Sequence, residues 1–482
     1  MSNIHFIFYL SPLIILIFTA IFVLLLDVFI QKNNRRLIFS IASLGVIGSA
    51  ATSLQLWNGD ALYLFHEAIR LDKFSLFFTF LSLGLTLLTA LSSYPLLQKN
   101  NWPLGEYLFF LLSACVGMSL MAWATDLITL FISLEIMSLA VYILTGIERE
   151  RLTSSEGALK YFLLGAFSTA FLLYGITFIY AATGSTQFST IAHFLMSSKY
   201  TLPPTIYIGL GLLLVGVGFK ISAVPFHMWV PDVYEGAPTP ITALMATGVK
   251  AAGFSALIRL FLVTLSSLKP QWGVIIIGFS ILTMTVGNIA ALVQNNIKRM
   301  LAYSSIAHAG YILIALAAAQ ETRVFDLATS SILFYLIAYS FMTIGAFTIV
   351  SFTQDLNGFG FKHPYLGIAM TIFMLSLIGV PPTVGFMGKF YIFSSALKGG
   401  FFWLAIIGII NSVIASYYYL RVLVTLYMKK ETDTASSSLS SSLASSLVFN
   451  SVLWITAVGT LLVGLFPSSV FKIITKSITA LL

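Results

Sequence analysis

Seven ionisable side chains lie inside long apolar runs of this 482-residue chain. A charge at the centre of a bilayer costs about 2.5–3.5 kcal/mol on insertion scales, so such a residue usually faces a bundle interior or a hydrated cavity. Residues of this kind mark ion pathways and proton relays. The seven are Glu135, Lys160, Lys220, Lys250, Arg259, Lys389 and Arg421.

Four of these residues, Glu135, Lys220, Lys250 and Lys389, predict a proton relay. Burial disfavours the ammonium form of a lysine, whereas a nearby carboxylate favours it. A buried lysine whose carboxylate partner moves can therefore bind and release a proton near neutral pH. Glu135, in the run FISLEIMSL, is the carboxylate that would modulate such a lysine. The alternative is that these residues form internal ion pairs that serve only packing. The free-energy cost of burying a charge would then be incurred four times for packing alone, so we favour the relay.

The other three charges have simpler interpretations beside a role in the relay. Lys160 lies four residues after Glu156, near a predicted helix start, and is placed to pair with it. Arg259 and Arg421 lie near predicted helix ends, from which long basic side chains reach the membrane interface.

Two histidines are further candidates for the relay, because histidine titrates near neutral pH. His227 follows a proline, and His308 lies in the middle of an apolar run. For both residues, hydrogen-bonded packing is an equally good interpretation.

Prolines interrupt two of the lysine-bearing runs. Pro225 follows Lys220, and Pro381 and Pro382 precede Lys389. Proline removes a backbone donor and breaks a helix, which a membrane tolerates where the freed groups line a cavity or are covered by protein. Broken helices at matching positions of two halves point to a transport site between them.

The elements that must position these residues are transmembrane helices. The chain is 58% hydrophobic and only 9% charged, whereas soluble domains carry about 25% charged residues. A helix needs about 20 apolar residues to cross the bilayer core. The runs are too long and uniformly apolar for barrel strands, so the predicted fold class is an all-α integral membrane protein. About fourteen spans are predicted, beginning near residues 11, 37, 74, 106, 126, 157, 205, 239, 272, 299, 324, 365, 401 and 446.

Basic residues in the loops predict the orientation. Loops after odd-numbered helices hold eleven lysines and arginines, and loops after even-numbered helices hold six. Because cytoplasmic loops carry the excess, both termini are expected on the non-cytoplasmic side. Basic residues follow the first run, residues 11–30, instead of preceding it as in a signal peptide, so we expect a retained helix. The Ser-rich residues 434–446 predict a flexible cytoplasmic loop.

An internal offset of 169 residues relates the two broken runs. It separates Lys220 from Lys389 and also Tyr142 from Tyr311. The offset predicts two five-helix repeats, helices 4–8 and helices 9–13, with broken helices 7 and 12. The repeats are inverted because five is an odd number. The chain is thereby divided into three N-terminal helices, the two repeats, and a Ser-rich loop with helix 14, at residues 1–100, 101–265, 270–430 and 431–482.

Composition excludes several classes of site. No large soluble segment, phosphate-binding glycine loop, flavin motif or haem motif interrupts the helices. The single cysteine, Cys115, excludes a disulfide framework or a cysteine-ligated cluster within the chain. The six histidines lack the spacing of a metal site. The net charge of +8 is spread over short loops and forms no basic face for nucleic acid.

The chain carries three long motifs, which are FKISAVPFHMWVPDVYEGAPTP at residues 219–240, NIKRMLAYSSIAHAGY at residues 296–311 and GVPPTVGFMGKF at residues 379–390. These motifs strongly resemble the antiporter-like membrane subunits of respiratory complex I. The resemblance spans about residues 100–430. Within the family, the tyrosine–glutamate–glycine at residues 234–236 and the lysine at position 389 indicate a member other than subunit M, which is expected to carry glutamate there.

The resemblance implies a role for each candidate. Glu135 and Lys220 would form the charge pair of the input half-channel, with Lys160 nearby. Lys250 would be the connecting lysine, and Lys389 would pass protons to the exit side. The implied partners are antiporter-like subunit M and small membrane subunits of complex I, in the bacterial inner membrane. The complex uses NADH, FMN, iron–sulfur clusters and a quinone, all of which are expected on partner subunits.

Three other functions fit the same residues. A subunit of a multi-subunit cation/proton antiporter shares the fold, and neighbouring genes for flavin and iron–sulfur subunits would argue against it. A structural membrane anchor of a redox complex predicts that the buried charges tolerate neutral replacement. A substrate transporter would require a ligand cavity.

Overall fold

The structure is a computed structural model that describes residues 3–30, 35–100, 102–197, 202–353, 355–429, 447–479 and 481. The loop residues Lys32, Lys199 and Lys430, and the Ser-rich segment 434–446, lie outside the described residues.

Helices dominate the described residues, and they are numbered here in chain order. They are α1 (Asn3–Phe29), α2 (Arg35–Leu56), α3 (Lys73–Lys99), α4 (Leu104–Trp123), α5 (Leu127–Thr145), α6 (Leu152–Thr183), α7 (Phe188–Ser197), α8 (Pro204–Ile221), α9 (Val230–Gly236), α10 (Thr239–Leu244), α11 (Lys250–Leu257), α12 (Lys269–Leu292), α13 (Ile297–Ala318), α14 (Phe325–Phe352), α15 (Phe359–Lys362), α16 (Pro364–Ile378), α17 (Val384–Gly399), α18 (Phe402–Met428), α19 (Leu447–Leu465) and α20 (Pro467–Ile478).

Thirteen helices in the described part of the chain are long and apolar enough to cross a membrane. The pair α16 and α17, of 15 and 16 residues, is interrupted at the second proline break. Taken as one broken crossing, this pair brings the number of spans to fourteen. The all-α membrane fold and the approximate number of spans are therefore confirmed.

A short β-hairpin departs from the all-helical prediction. Strand β1 (Leu62–Leu64) pairs antiparallel with β2 (Ile69–Leu71), and Leu62 lies opposite Leu71. The hairpin fills the connection between α2 and α3. Its strands of three residues each are too short to give a periodic signal in the sequence.

Both proline breaks stop a helix at a residue in the left-handed conformation. Helix α8 ends before Ser222, which has φ 65°, and α16 ends before Gly379, which has φ 95°. A Cβ atom at position 379 would lie 3.1 Å from Cδ of Lys389. Glycine therefore serves two purposes here, since it allows the turn and leaves room for the lysine stem.

The span at residues 239–264 is the most enclosed element and forms the centre of the bundle. It contains α10 and α11 and is 100% buried, whereas α1 is 28% buried. Two π-helical segments, Met245–Val249 and Ile258–Thr264, flank α11 in this span. Lys250 is the first residue of α11, so one of the predicted relay residues lies at the centre of the protein.

Small residues let the surrounding helices approach closely. A Cβ atom at Gly287 of α12 would lie 2.7 Å from the backbone nitrogen of Ala307, and one at Gly310 of α13 would lie 2.5 Å from that of Met284. Helices without a solvent-driven core gain their association from such close packing. The packing fixes α13, which carries several residues of the site described below.

Candidate proton-relay site

Lys220 lies at the last turn of α8, next to the first helix break. The side chain is buried, and its Nζ donates to the hydroxyl of Ser138 at 2.7 Å and to that of Tyr142 at 3.2 Å. Both partners belong to α5. The ammonium also lies within 6 Å of the ring centres of Tyr142, Tyr161 and Phe219. The surroundings of Lys220 are thus hydroxyl groups and aromatic faces.

Glu135 lies one helical turn before Ser138 on α5, but its carboxylate has a different partner. Oε1 accepts a hydrogen bond of 2.9 Å from the hydroxyl of Thr169 on α6. Among the ion pairs of the described residues, none within 4.0 Å joins Glu135 to Lys220. The structure therefore places the two residues near the same stretch of α5 without direct contact, with Ser138 holding the lysine.

Lys250 points away from Lys220, toward α13. Its Nζ donates to the backbone carbonyl of Ser305 at 2.6 Å and to the hydroxyl of the same residue at 2.5 Å. The side chain is buried, and the π-helical segment Met245–Val249 immediately precedes it. Short π-helical segments are frequent at functional sites. Lys250 thus has both of its hydrogen-bond partners on one residue at the centre of the bundle.

His308 lies one turn after Ser305 on α13 and has two tyrosine hydroxyls as partners. Nδ1 hydrogen bonds to the hydroxyl of Tyr335 at 2.7 Å, and Nε2 to that of Tyr419 at 3.0 Å. The Tyr419 hydroxyl lies 2.5 Å from that of Ser304. Each of these groups can both donate and accept a proton. The predicted involvement of His308 thus has a hydrogen-bonded network around it.

Lys389, on α17, takes its hydrogen-bond partners from the second helix break. Its Nζ donates to the carbonyls of Leu377 at 3.0 Å and Ile378 at 2.8 Å, and to the hydroxyl of Ser412 at 2.8 Å. The two carbonyls belong to the last turn of α16, where helical carbonyls lack an internal partner. A groove of about 660 Å³ between α17 and α18 borders this lysine. The proline break therefore creates the site that holds Lys389.

A second polar cluster was missed by the sequence analysis. Tyr311, whose ring lies 5.1 Å from Nζ of Lys389, accepts a hydrogen bond of 3.0 Å from the amide of Asn288. Asn288 also bonds to Tyr418 at 2.9 Å and to Asn411 at 3.2 Å. The two asparagines lie inside apolar runs, and that is the signal which would have identified them.

Lys160 lies apart from the Glu135 and Lys220 neighbourhood. Its Nζ forms ion pairs with Glu156 at 2.7 Å and with Asp232 at 2.9 Å, and the side chain is partly exposed. Along α6 it lies nine residues before Thr169, the partner of Glu135, a rise of about 13 Å. The pairing with Glu156 is confirmed, and the structure does not bring Lys160 into contact with the predicted charge pair.

Lys298 and Arg299 do not behave as the solvated loop charges that the orientation count assumed. Lys298 is buried, and its Nζ donates to the carbonyls of Glu235 at 2.9 Å and Ala237 at 2.6 Å. Arg299 pairs with Asp232 at 2.7 Å and with Glu235 at 2.8 Å. The basic pair at the start of α13 therefore fixes the end of α9, the short helix after the first break.

Arg259 has an acidic partner that the sequence did not predict. Its side chain is buried and pairs with Asp72 at 2.7 Å, and its Nε donates to the carbonyl of Ala122 at 2.6 Å. Asp72 caps the start of α3 and also pairs with Arg70 at 3.3 Å. A partner 187 residues away in the chain cannot be read from a local pattern.

Arg421 and His227 contribute little to the relay geometry. Arg421 donates to the carbonyls of Leu292 at 3.0 Å and Gln294 at 2.5 Å, at the end of α12. His227 lies half-buried between α8 and α9, and the structure gives it no hydrogen bond to Lys220, Lys250 or Lys389. Within the described residues, no group of three His, Cys, Asp or Glu side chains is arranged to hold a metal ion.

Comparisons of the sequence with known proteins all indicate the same family. The sequence profile described as "NADH:quinone oxidoreductase/Mrp antiporter, TM" matches residues 124–415, which include Glu135, Lys220, Lys250 and Lys389. NADH-quinone oxidoreductase subunit N of Trichlorobacter lovleyi is 43% identical over 472 residues, covering 96% of this chain and 94% of the relative. Subunit N of Chloroflexus aggregans is 38% identical over 485 residues, covering 98% and 97%.

Solved structures agree with these relatives. A chain of respiratory complex I from Thermus thermophilus with bound aureothin is 32% identical, with a TM-score of 0.79, covering 96% of this chain and 98% of that one. A chain of the Mrp complex from Dietzia sp. DQ12-45-1b has a TM-score of 0.84 at 17% identity, covering 100% and 98%, and shows a shared fold. This chain therefore belongs to the NADH-quinone oxidoreductase subunit N family, whose members are antiporter-like membrane subunits of complex I.

Proposed function

We propose that this chain is the subunit of a membrane-bound NADH-quinone oxidoreductase that carries protons through a relay of buried lysines. One observation carries the proposal. Lys220, Lys250 and Lys389 are all buried, and within the described residues none forms an ion pair with a carboxylate. A permanently charged residue would gain from such a partner. Lys298 is also buried without one, but its Nζ bonds only to carbonyls. Each of the three lysines instead has a hydroxyl partner, which can also donate to a neutral amine.

The partners of the lysines support a proton path. A hydroxyl group can accept a hydrogen bond from an ammonium and donate one to a neutral amine. Ser138, Ser305 and Ser412 offer such a hydroxyl to Lys220, Lys250 and Lys389 in turn. His308 follows Ser305 on α13, and the tyrosines bonded to it, Tyr335 and Tyr419, lie on α14 and α18. The proposed order is Lys220, Lys250, the His308 network and Lys389.

Two similar halves account for the placement of the two outer lysines. The ring centre of Tyr142 lies 5.4 Å from Nζ of Lys220, and that of Tyr311 lies 5.1 Å from Nζ of Lys389. These are the residue pairs related by the 169-residue offset. Together with the two helix breaks, they support inverted repeats at residues 101–265 and 270–430, which are the predicted spans 4–8 and 9–13.

The energy for transport comes from partner subunits in this proposal. The chain would lie in the bacterial inner membrane, beside subunit M and small membrane subunits, with both termini on the non-cytoplasmic side. NADH, FMN, iron–sulfur clusters and quinone would act on other subunits. Reduction of quinone there changes the electrostatics of the membrane arm, shifts Glu135 relative to Lys220 and so changes the proton affinity of the lysine.

Replacement of Lys389 tests the proposal in the assembled complex. Lys389→Ala should lower the rate of proton uptake by inverted membrane vesicles about 100-fold or more, as for loss of a proton-transfer group. NADH oxidation with an artificial acceptor that bypasses quinone should stay at the wild-type level, since it reports assembly. Lys472→Ala, at an exposed lysine of α20, is the matched control and should pump normally.

The same measurement separates the alternatives. A structural anchor predicts that Lys389→Ala pumps like the wild type, and that outcome would contradict the proposal. The fold shared with the Mrp complex favours a cation/proton antiporter as the second candidate. That function predicts cation-driven proton movement in vesicles without NADH, which the first proposal does not.

A further inference from the structure

Tyr234 of α9 carries a buried hydroxyl that the relay described above does not use. The side chain is 0% exposed, and its hydroxyl has no hydrogen-bond partner among the described residues. Buried polar atoms in proteins nearly always have a partner, and each exception requires an explanation. The hydroxyl of Tyr234 is therefore a candidate functional group.

On one side, Tyr234 adjoins the aromatic rings around Lys220. Its ring contacts Trp229 edge-on, with centres 6.2 Å apart. Trp229 stacks on Tyr161 at 4.3 Å and on Phe219 at 5.2 Å, and these two rings face the Lys220 ammonium. Trp229, the residue before α9, therefore connects the ring of Tyr234 to the rings around Lys220.

On its other side, Tyr234 adjoins the site of Lys250. Its hydroxyl lies beside that of Ser305, outside hydrogen-bond geometry. Ser305 holds Nζ of Lys250 at 2.5 Å and 2.6 Å through its hydroxyl and carbonyl. The hydroxyl of Tyr339 also lies beside that of Ser305. Tyr234 thus adjoins the neighbourhoods of both lysines.

The two lysines need such a group between them. The helices that carry them are close, because a Cβ atom at Gly253 of α11, one turn after Lys250, would lie 3.8 Å from Cβ of Lys220. Their ammonium groups diverge, however, to α5 and to α13. In the described part of the chain, no hydrogen bond joins Ser138 or Tyr142 to Ser305.

We propose that the Tyr234 hydroxyl relays the proton between Lys220 and Lys250, an inference that rests on the proposed function. An N–H bond of the Lys220 ammonium breaks, and a proton passes through bridging water to form a bond to the phenol oxygen. The phenol proton moves at the same time toward the amine of Lys250, where a new N–H bond forms. The phenol stays neutral, and its rotation restores the starting state.

Tyr234→Phe in the intact complex tests this step. The variant removes a single oxygen that makes no hydrogen bond to the described residues, so assembly and thermal stability should be those of the wild type. Proton uptake by inverted vesicles should fall about tenfold or more, while NADH oxidation with an acceptor that bypasses quinone is retained. Incorporation of 3-fluorotyrosine at position 234 should restore uptake and shift its pH profile, because it keeps the hydroxyl and changes its acidity.

Tyr107→Phe is the matched control. Tyr107 is equally buried, but its hydroxyl bonds to Ser93 between α3 and α4, away from the lysines. This variant should pump normally. Wild-type proton uptake by Tyr234→Phe would overturn the relay role of Tyr234. If Lys389→Ala then still abolished uptake, the proposed function would stand, and if both variants pumped normally, both inferences would fail.

Discussion

At the scale of single residues, the buried charges fall into two groups that differ in their partners. Lys220, Lys250 and Lys389 are held by hydroxyls and carbonyls. Arg259 pairs instead with the carboxylate of Asp72, and both side chains are at most 4% exposed. A guanidinium stays protonated under all ordinary conditions. The arginine is therefore a structural residue, and the lysines are the ones suited to exchange protons.

Removal of Arg259 should destabilise the chain without affecting proton transfer directly. Arg259→Leu leaves Asp72 buried with Arg70 as its remaining ion-pair partner, and loss of a buried partner costs about 3–5 kcal/mol. The amount of assembled complex in membranes should fall, as measured by native gel electrophoresis. Adding Asp72→Asn should restore much of it, because asparagine keeps the helix cap and removes the charge.

The exposed Arg323 offers a control for this pair. Arg323→Leu should assemble at the wild-type level. If Arg259→Leu assembled equally well, the ion pair with Asp72 would have no structural role.

At the scale of elements, each helix break produces a site for a lysine. The last turn of α16 presents free carbonyls to Lys389 because Gly379 ends the helix in the left-handed conformation. The end of α9, the short helix after the first break, likewise presents free carbonyls to a lysine. Those of Glu235 and Ala237 accept hydrogen bonds from Lys298. Proline and glycine in the sequence therefore determine where the polar backbone groups of the bundle become available.

Substitution of Gly379 tests the link between the break and the lysine. In Gly379→Ala the new Cβ would lie 3.1 Å from Cδ of Lys389, in a conformation that costs an L-residue about 1–2 kcal/mol. We expect the lysine to be displaced from its site. A shift of about 1 kcal/mol in the equilibrium between the bound and the displaced lysine corresponds to a fall in proton uptake of about fivefold. Uptake relative to quinone-independent NADH oxidation measures this effect.

Gly184→Ala separates backbone strain from the effect on the lysine. Gly184 also has a positive φ, of 70°, but a Cβ atom at this position would have no neighbour within 4 Å. This variant should lose similar stability and keep its proton uptake. Equal loss of uptake in the two variants would show that strain alone is responsible.

The elements themselves were predictable from the sequence, and their contacts were not. Apolar length and proline are local signals, so the spans and both breaks were found. Partners such as Thr169 for Glu135, or Asp72 for Arg259, depend on how distant helices pack. The hairpin of β1 and β2 was too short to predict. Lys298 was assigned to a loop because burial at a helix start depends on the neighbouring α9.

At the scale of the whole molecule, the residues of the proposed relay lie on or beside the most enclosed helices. The span at residues 239–264 carries Lys250 and is 100% buried, and α13, with Ser305 and His308, is 94% buried. Lys220 and Lys389 lie on either side, each beside a helix break and a tyrosine ring. This arrangement is the one that the proposed proton relay requires.

The central claim is that protons pass through Lys220, and one measurement tests it most directly. Lys220→Ala is introduced into the intact complex, and proton uptake by inverted vesicles is measured during NADH oxidation, with quinone-independent NADH oxidation as the measure of assembly. Proton uptake should be lost or fall about 100-fold while assembly is retained. Wild-type proton uptake per NADH in fully assembled Lys220→Ala complex would contradict the account.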